Sequence, residues 1–263
     1  MSALTLFLLS LAGASLAFAV VFLVAKRMGN FGLVDVAWAL GFAPVGAFYA
    51  WGAPGAAFRR WAVAGMVTLW SLRLGGYLAV RVLGHHPVED GRYQQLRREW
   101  GTRLHVKMFW FFQAQALLLV VLAVPFLLSV RNPAATLHPL ECAGIALWLI
   151  AWGGEALADA QLARFKREPA SRGRVCATGL WRWSRHPNYF FEWLVWVAFA
   201  LFAGASPGGW VTVYCPALML FFLLQVTGIR YTEEQLLRSK GAAYRDYQRR
   251  TPAFFPWFPK SLP

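Results

Sequence analysis

Cysteine is scarce in this sequence. Its three residues, Cys142, Cys176 and Cys215, form no CxxC pair and no Cys/His spacing, which excludes a zinc module or a disulfide framework. His85 and His86 are adjacent and point different ways, so no metal site is expected. HExxH, a phosphate-binding lysine loop and a GxGxxG after a strand are all missing, so any cofactor must be held without the usual soluble folds. Acidic residues are few, 12 Asp and Glu against 26 Lys and Arg, for a net charge of +14. No Lys or Arg precedes the first apolar run. Lys26 and Arg27 follow it, and the run is long for a signal peptide, so it reads as a retained helix with its N-terminus outside.

Apolar residues are what the chain has in quantity: 58% of it is hydrophobic and only 14% charged, which is no soluble globular domain. Seven runs approach the length of a bilayer crossing, at about 3–25, 32–51, 61–83, 108–130, 137–159, 188–204 and 210–229. All should be helical, giving an all-α polytopic membrane protein. The basic residues are unevenly distributed. Segments 26–31, 84–107, 160–187 and the tail from Arg230 hold two, five, seven and seven Lys or Arg, while 52–60, 131–136 and 205–209 hold two, one and none. This alternation puts the C-terminus in the cytoplasm. It also argues against a nucleic-acid partner and turns the basic surface towards anionic lipids and nucleotides. The chain reads as one membrane domain, 1–263, with substrate-side helices in 1–130 and cofactor-binding helices, loop and tail in 137–263.

The stretch from Gly179 to Glu192 organises the second half. Pro187 suits the first turn of a helix, and Asn188 and Glu192 then share one face four residues apart. An aromatic belt with snorkelling arginines explains the tryptophans there but not a carboxylate dipping into an apolar span. Upstream, Glu155, Asp159 and Lys166 line one wall after Trp148 and Trp152. In the first half, Asp35 and Trp38 lie a turn apart, and a structural salt bridge is the favoured role for Asp35. Trp70, Arg73, Tyr77 and Arg81 form a polar stripe on the third span, and residues 230–250 read as one amphipathic helix. Arginines from several segments, aromatic rings and a few carboxylates suit a phosphorylated dinucleotide. An adenosyl methyl donor, with no phosphate, would need fewer cations.

The run Arg185-His186-Pro187-Asn188-Tyr189 with Glu192, together with Glu233-Glu234 and Tyr244-Arg245-Asp246-Tyr247, resembles a membrane superfamily of steroid 5α-reductases, sterol reductases and isoprenylcysteine carboxyl methyltransferases. Asp35 with Trp38 and the Glu89–Tyr93 run look like its bacterial branch with a steroid-5α-reductase-type C-terminal domain. That resemblance implies an oxidoreductase of the bacterial inner membrane, like a 3-oxo-5α-steroid 4-dehydrogenase. It would be a monomer that uses NADPH to reduce the C=C of a lipophilic enone. The alternative is an S-adenosylmethionine-dependent methyltransferase of the isoprenylcysteine or phospholipid type.

Carried over by resemblance, Asp159, Lys166 and Arg174 hold the adenosine and phosphate end, and Asn188 and Glu192 the nicotinamide. Arg230, Glu234 and Arg250 close the pocket, with Arg81, Glu155, Arg185, His186, Tyr189, Tyr244 and Tyr247 as further cofactor-binding residues. The glutamate that reductases carry in the second span is missing, since Gly41, Phe42 and Ala43 fall there, and Trp70 stands at the third-span tyrosine. Tyr77 is then the chosen proton donor, with Asp35 and Glu192 as the other catalytic candidates and Trp38, Phe42 and Trp70 against the substrate.

Overall fold

The computed structural model describes residues 1–226 and 228–260. Among them every regular element is helical and none is a strand, as expected where backbone groups must be satisfied within their own segment. Among the described residues six stretches are long and apolar enough to cross a membrane: Ala3–Met28, Leu33–Gly52, Ala57–Gly84, Gly91–Ser129, Pro139–Arg167 and Gly209–Lys240. They mark a polytopic integral membrane protein. One of the seven expected runs, the sixth, is not among them. The sixth run does form a helix, but its 18 residues include Pro187, Asn188 and Glu192, which leave it too polar to qualify.

The chain divides into two compact units, Met1–His138 with Ala203–Trp210, and Pro139–Phe202 with Val211–Pro263. The first contains α1 (Ala3–Met28), α2 (Leu33–Gly52), α3 (Ala57–Gly84), α4 (Gly91–Trp100), α5 (Leu104–Leu122) and α6 (Val124–Ser129). Ser2 caps α1 by accepting from the Thr5 N–H at 3.0 Å, and Gly29, at φ 69°, closes it in the left-handed conformation. Pro44 interrupts α2, and the Ser71 hydroxyl of α3 sits at the break. It donates to the Ala39 carbonyl at 2.6 Å and accepts from the Ala43 N–H at 3.2 Å. Pro125 lies in the first turn of α6, at the division between α5 and α6. Phe22, Phe31, Phe42, Trp70, Phe112 and Phe126 fill the core, several meeting edge to face.

The second unit contains α7 (Pro139–Arg167), α8 (Pro187–Gly204), α9 (Tyr214–Phe221), α10 (Ile229–Lys240) and α11 (Ala242–Arg250). Glycines let α7 and α8 approach closely. A Cβ on Gly144 would fall 2.9 Å from the Phe202 nitrogen, and one on Gly154 would fall 2.4 Å from the Phe191 ring. The seventh expected span is broken into a 3₁₀ turn at Gly209–Val213, α9 and a π-helical turn at Phe222–Val226. The single helix expected over 230–250 is divided at Gly241, whose φ is 55°.

Candidate functional site

On α7, residues 148, 152, 155 and 159 recur every three or four positions and so share a face. Trp148 and Glu155 are each 3% exposed and Asp159 is 7% exposed. Asn188, in the first turn of α8, donates its Nδ2 to Asp159 Oδ1 at 3.2 Å. One turn further along α8, Glu192 is buried and accepts from the Trp196 indole at 3.0 Å. The structure therefore joins Asp159 to Asn188, with Glu155 and Glu192 a turn away on their own helices.

The connection between α7 and α8 folds back on the end of α7. The Leu180 N–H donates to Gln161 Oε1 at 2.9 Å, and the Trp181 indole donates to the Ala158 carbonyl at 3.0 Å. Gly179 has φ 58°, and any Cβ there would strike the Gln161 amide at 2.6 Å. Lys166, Arg172, Arg174 and Arg182 are exposed along this segment.

The residues just before α8 enter a different cluster. Arg185 donates to Glu233 Oε1 at 2.6 Å, and to the carbonyls of Gln248 and Thr251 at 3.0 and 2.6 Å. His186 Nε2 lies 3.2 Å from the same Glu233 oxygen, and its ring stacks on Tyr189 at 5.4 Å. Tyr244 donates to Glu233 Oε1 at 3.4 Å and Gln248 to Oε2 at 2.9 Å. The Tyr247 hydroxyl donates to the Trp181 carbonyl, and Ser184 Oγ donates to the Phe254 carbonyl at 2.8 Å. Burial pushes the His186 pKa below its usual value, opposed by the Glu233 carboxylate. Burial also raises the Tyr244 and Tyr247 phenols, helped by Glu233 for Tyr244 and by Tyr244 for Tyr247.

Arg185, His186, Tyr244 and Tyr247 are thus engaged in tying the segment before α8 to α10, α11 and the tail. Arg230 faces Glu234 at 3.6 Å, and Arg250 faces Asp246 at 2.9 Å, both as exposed pairs within one helix. Glu234 was the acid expected to close the pocket, whereas Glu233, named only within the motif, is the carboxylate at the centre. Ile229, four residues before Glu233, is buried, so the inward face of α10 could have identified it.

In the first unit, Asp35 Oδ2 lies 2.7 Å from Arg92 Nη2, and Asp35 Oδ1 accepts from the Tyr93 hydroxyl at 2.8 Å. Asp35 thus has a salt bridge, the role favoured for it, and its partners come from the neighbouring helix α4. Glu89 is a second acid named only within a motif. It accepts from the Phe31 N–H at 2.6 Å and pairs with Arg97 at 3.1 Å. Trp38, Phe42 and Trp70 come together, with ring centres 4.9 and 5.1 Å apart in succession. Tyr77 is half-buried on α3 and Arg81 is exposed. Among the described residues no group of three His, Cys, Asp or Glu could hold a metal.

Residues 21–251 match the model of a family described as "Protein of unknown function (DUF1295)", and the chain belongs to that family. It is also similar to an uncharacterized protein of the fission yeast Schizosaccharomyces pombe, 29% identical over 240 residues, a match covering 80% of this chain and 67% of the relative. No solved structure matches.

Proposed function

With that membership as premise, we propose that this member of the family is an NADPH-dependent membrane reductase acting on the C=C of a lipophilic enone. The observation that carries the reading is the Asp159–Asn188 contact at 3.2 Å between α7 and α8, flanked by buried Glu155 and Glu192. The donor set fits the cofactor. An amide and carboxylates suit the nicotinamide carboxamide and ribose hydroxyls, while exposed Lys166, Arg172, Arg174 and Arg182 suit phosphates. Asn188 and Glu192 would hold the carboxamide, with Asp159 fixing the Asn188 rotamer. Bound there, NADPH would supply the hydride for the β-carbon and leave as NADP⁺, with a proton drawn from water completing the α-carbon.

In the same reading α8 is a seventh, short crossing, with the N-terminus outside and the C-terminus in the cytoplasm. All four basic segments then face the cytoplasm, and the membrane is the bacterial inner membrane.

A second reading is favoured by the burial of the acids while the cations stay outside. Carboxylates beside aromatic rings suit the sulfonium of an adenosyl methyl donor. One experiment separates the two: the melting temperature of detergent-purified protein with NADPH, NADH or S-adenosylmethionine. Stabilisation by NADPH, lost in Asn188→Ala and Glu192→Ala, supports the reductase. Stabilisation by the methyl donor alone overturns it.

A further inference from the structure

Unit two contains several deeply placed tryptophans, and most of their indole N–H groups find acceptors. Trp181 donates to the Ala158 carbonyl, Trp193 to the Pro216 carbonyl at 3.1 Å and Trp196 to Glu192. Trp148 and Trp152 differ. Both indole nitrogens are buried, yet neither has a hydrogen-bond partner among the described residues. Trp148 as a whole is only 3% exposed. The two rings lie parallel, 5.9 Å apart at 15°, on the face of α7 that continues to Glu155 and Asp159. Buried donors are almost always satisfied, and two adjacent exceptions on one face call for an acceptor from outside the chain. An indole N–H donates only, so a cation or a second donor cannot serve. The surrounding span is apolar, which disfavours a strongly hydrated anion.

We propose that Trp148 and Trp152 form a subsite for the carbonyl oxygen of a lipid-soluble substrate. One or both indole N–H groups donate to that oxygen while the stacked rings pack against the adjoining apolar skeleton. At 1.5 Å rise per residue, Trp152 stands roughly 10 Å along α7 from Asp159. That spacing sets the carbonyl end of the substrate within the apolar part of the helix and its reactive carbon nearer the polar pair. The subsite deepens the reductase reading and rests on it, since it names the substrate as a carbonyl lipid. A polarised C=O is also what an enone offers.

The test uses full-length protein in detergent carrying ¹⁵N at the tryptophan indoles, with Trp148→Phe and Trp152→Phe to assign the two resonances. The probes are a 3-oxo-Δ4 steroid, a long-chain enone and a long-chain ester, each beside an analogue lacking the carbonyl. The expected result is a downfield move of the Trp148 or Trp152 N–H proton with at least one carbonyl probe and none with its partner analogue. Affinity for that probe should fall about tenfold per lost N–H, with the analogue unaffected. Unmoved resonances with every probe overturn the subsite. NADPH stabilisation of the same samples reports separately on the reductase reading, so a failed subsite and a failed cofactor assignment give different results.

Discussion

Two clusters in this protein are assembled from the same parts, a carboxylate shared by an arginine and a tyrosine. In unit one Asp35 takes Arg92 and Tyr93. In unit two Glu233 takes Arg185 and Tyr244 and adds His186 and Gln248. The first secures α4 to the opening turn of α2. The second secures the approach to α8 against two helices and a tail more than 45 residues further along the chain. Similar composition therefore does not mean similar reach. The more distant closure carries more partners, and it adds a titratable imidazole.

Breaking each cluster at one residue gives the largest contrast. Arg185→Ala leaves Glu233 largely buried without its main counter-charge and removes two carbonyl contacts of the tail, at about 3–5 kcal/mol. Thermal melting in detergent should fall sharply, and proteolysis should release the C-terminal segment first. Asp35→Asn strips charge from a more exposed pair, with Arg92 and Asp35 side chains 22% and 20% accessible. It should cost about 1–3 kcal/mol and leave stabilisation by NADPH intact. Loss of turnover in Asp35→Asn without loss of stability would instead make that acid catalytic.

The pH dependence sharpens the comparison further. His186 has a depressed pKa in the folded protein, so the unfolded chain binds the extra proton first. Stability from this group is present above about pH 6.5 and declines as pH falls below it. Tyr244 has a raised pKa, so its contribution holds below about pH 10 and is lost as pH rises beyond that. A melting-temperature scan should show a plateau between these limits, and His186→Asn should remove the acid shoulder. Gly154→Ala forces a methyl into the Phe191 ring and should cost about 1–3 kcal/mol. The smallest effect is reserved for Arg230→Ala, at less than about 0.5 kcal/mol, because its pair with Glu234 is exposed. A larger fall would mean that Arg230 has a partner other than Glu234.

Local features were legible in the sequence. Pro187 does open a helix, and the membrane character follows from the length of the apolar runs. Asp159 and Asn188 could each be assigned to a helix face, although their contact across 29 residues depends on the packing of α7 and α8. The role of Arg185 was not legible. A basic residue beside an aromatic run has the same local signature whether it meets a phosphate or a distant glutamate. The π-helical turn at Phe222–Val226 leaves no mark on the hydrophobic period, and the break at Gly241 competes with otherwise continuous amphipathic spacing. Glu89 was read only as part of a motif, because its contact with the Phe31 backbone is set by tertiary structure.

The short return of Ala203–Trp210 into unit one has a consequence for biosynthesis. Asn132 donates its amide to the Ala205 carbonyl at 3.1 Å, so a nascent chain that has emerged only as far as His138 lacks one acceptor of its own first unit. All of α7 and α8 must leave the ribosome before that unit can be finished.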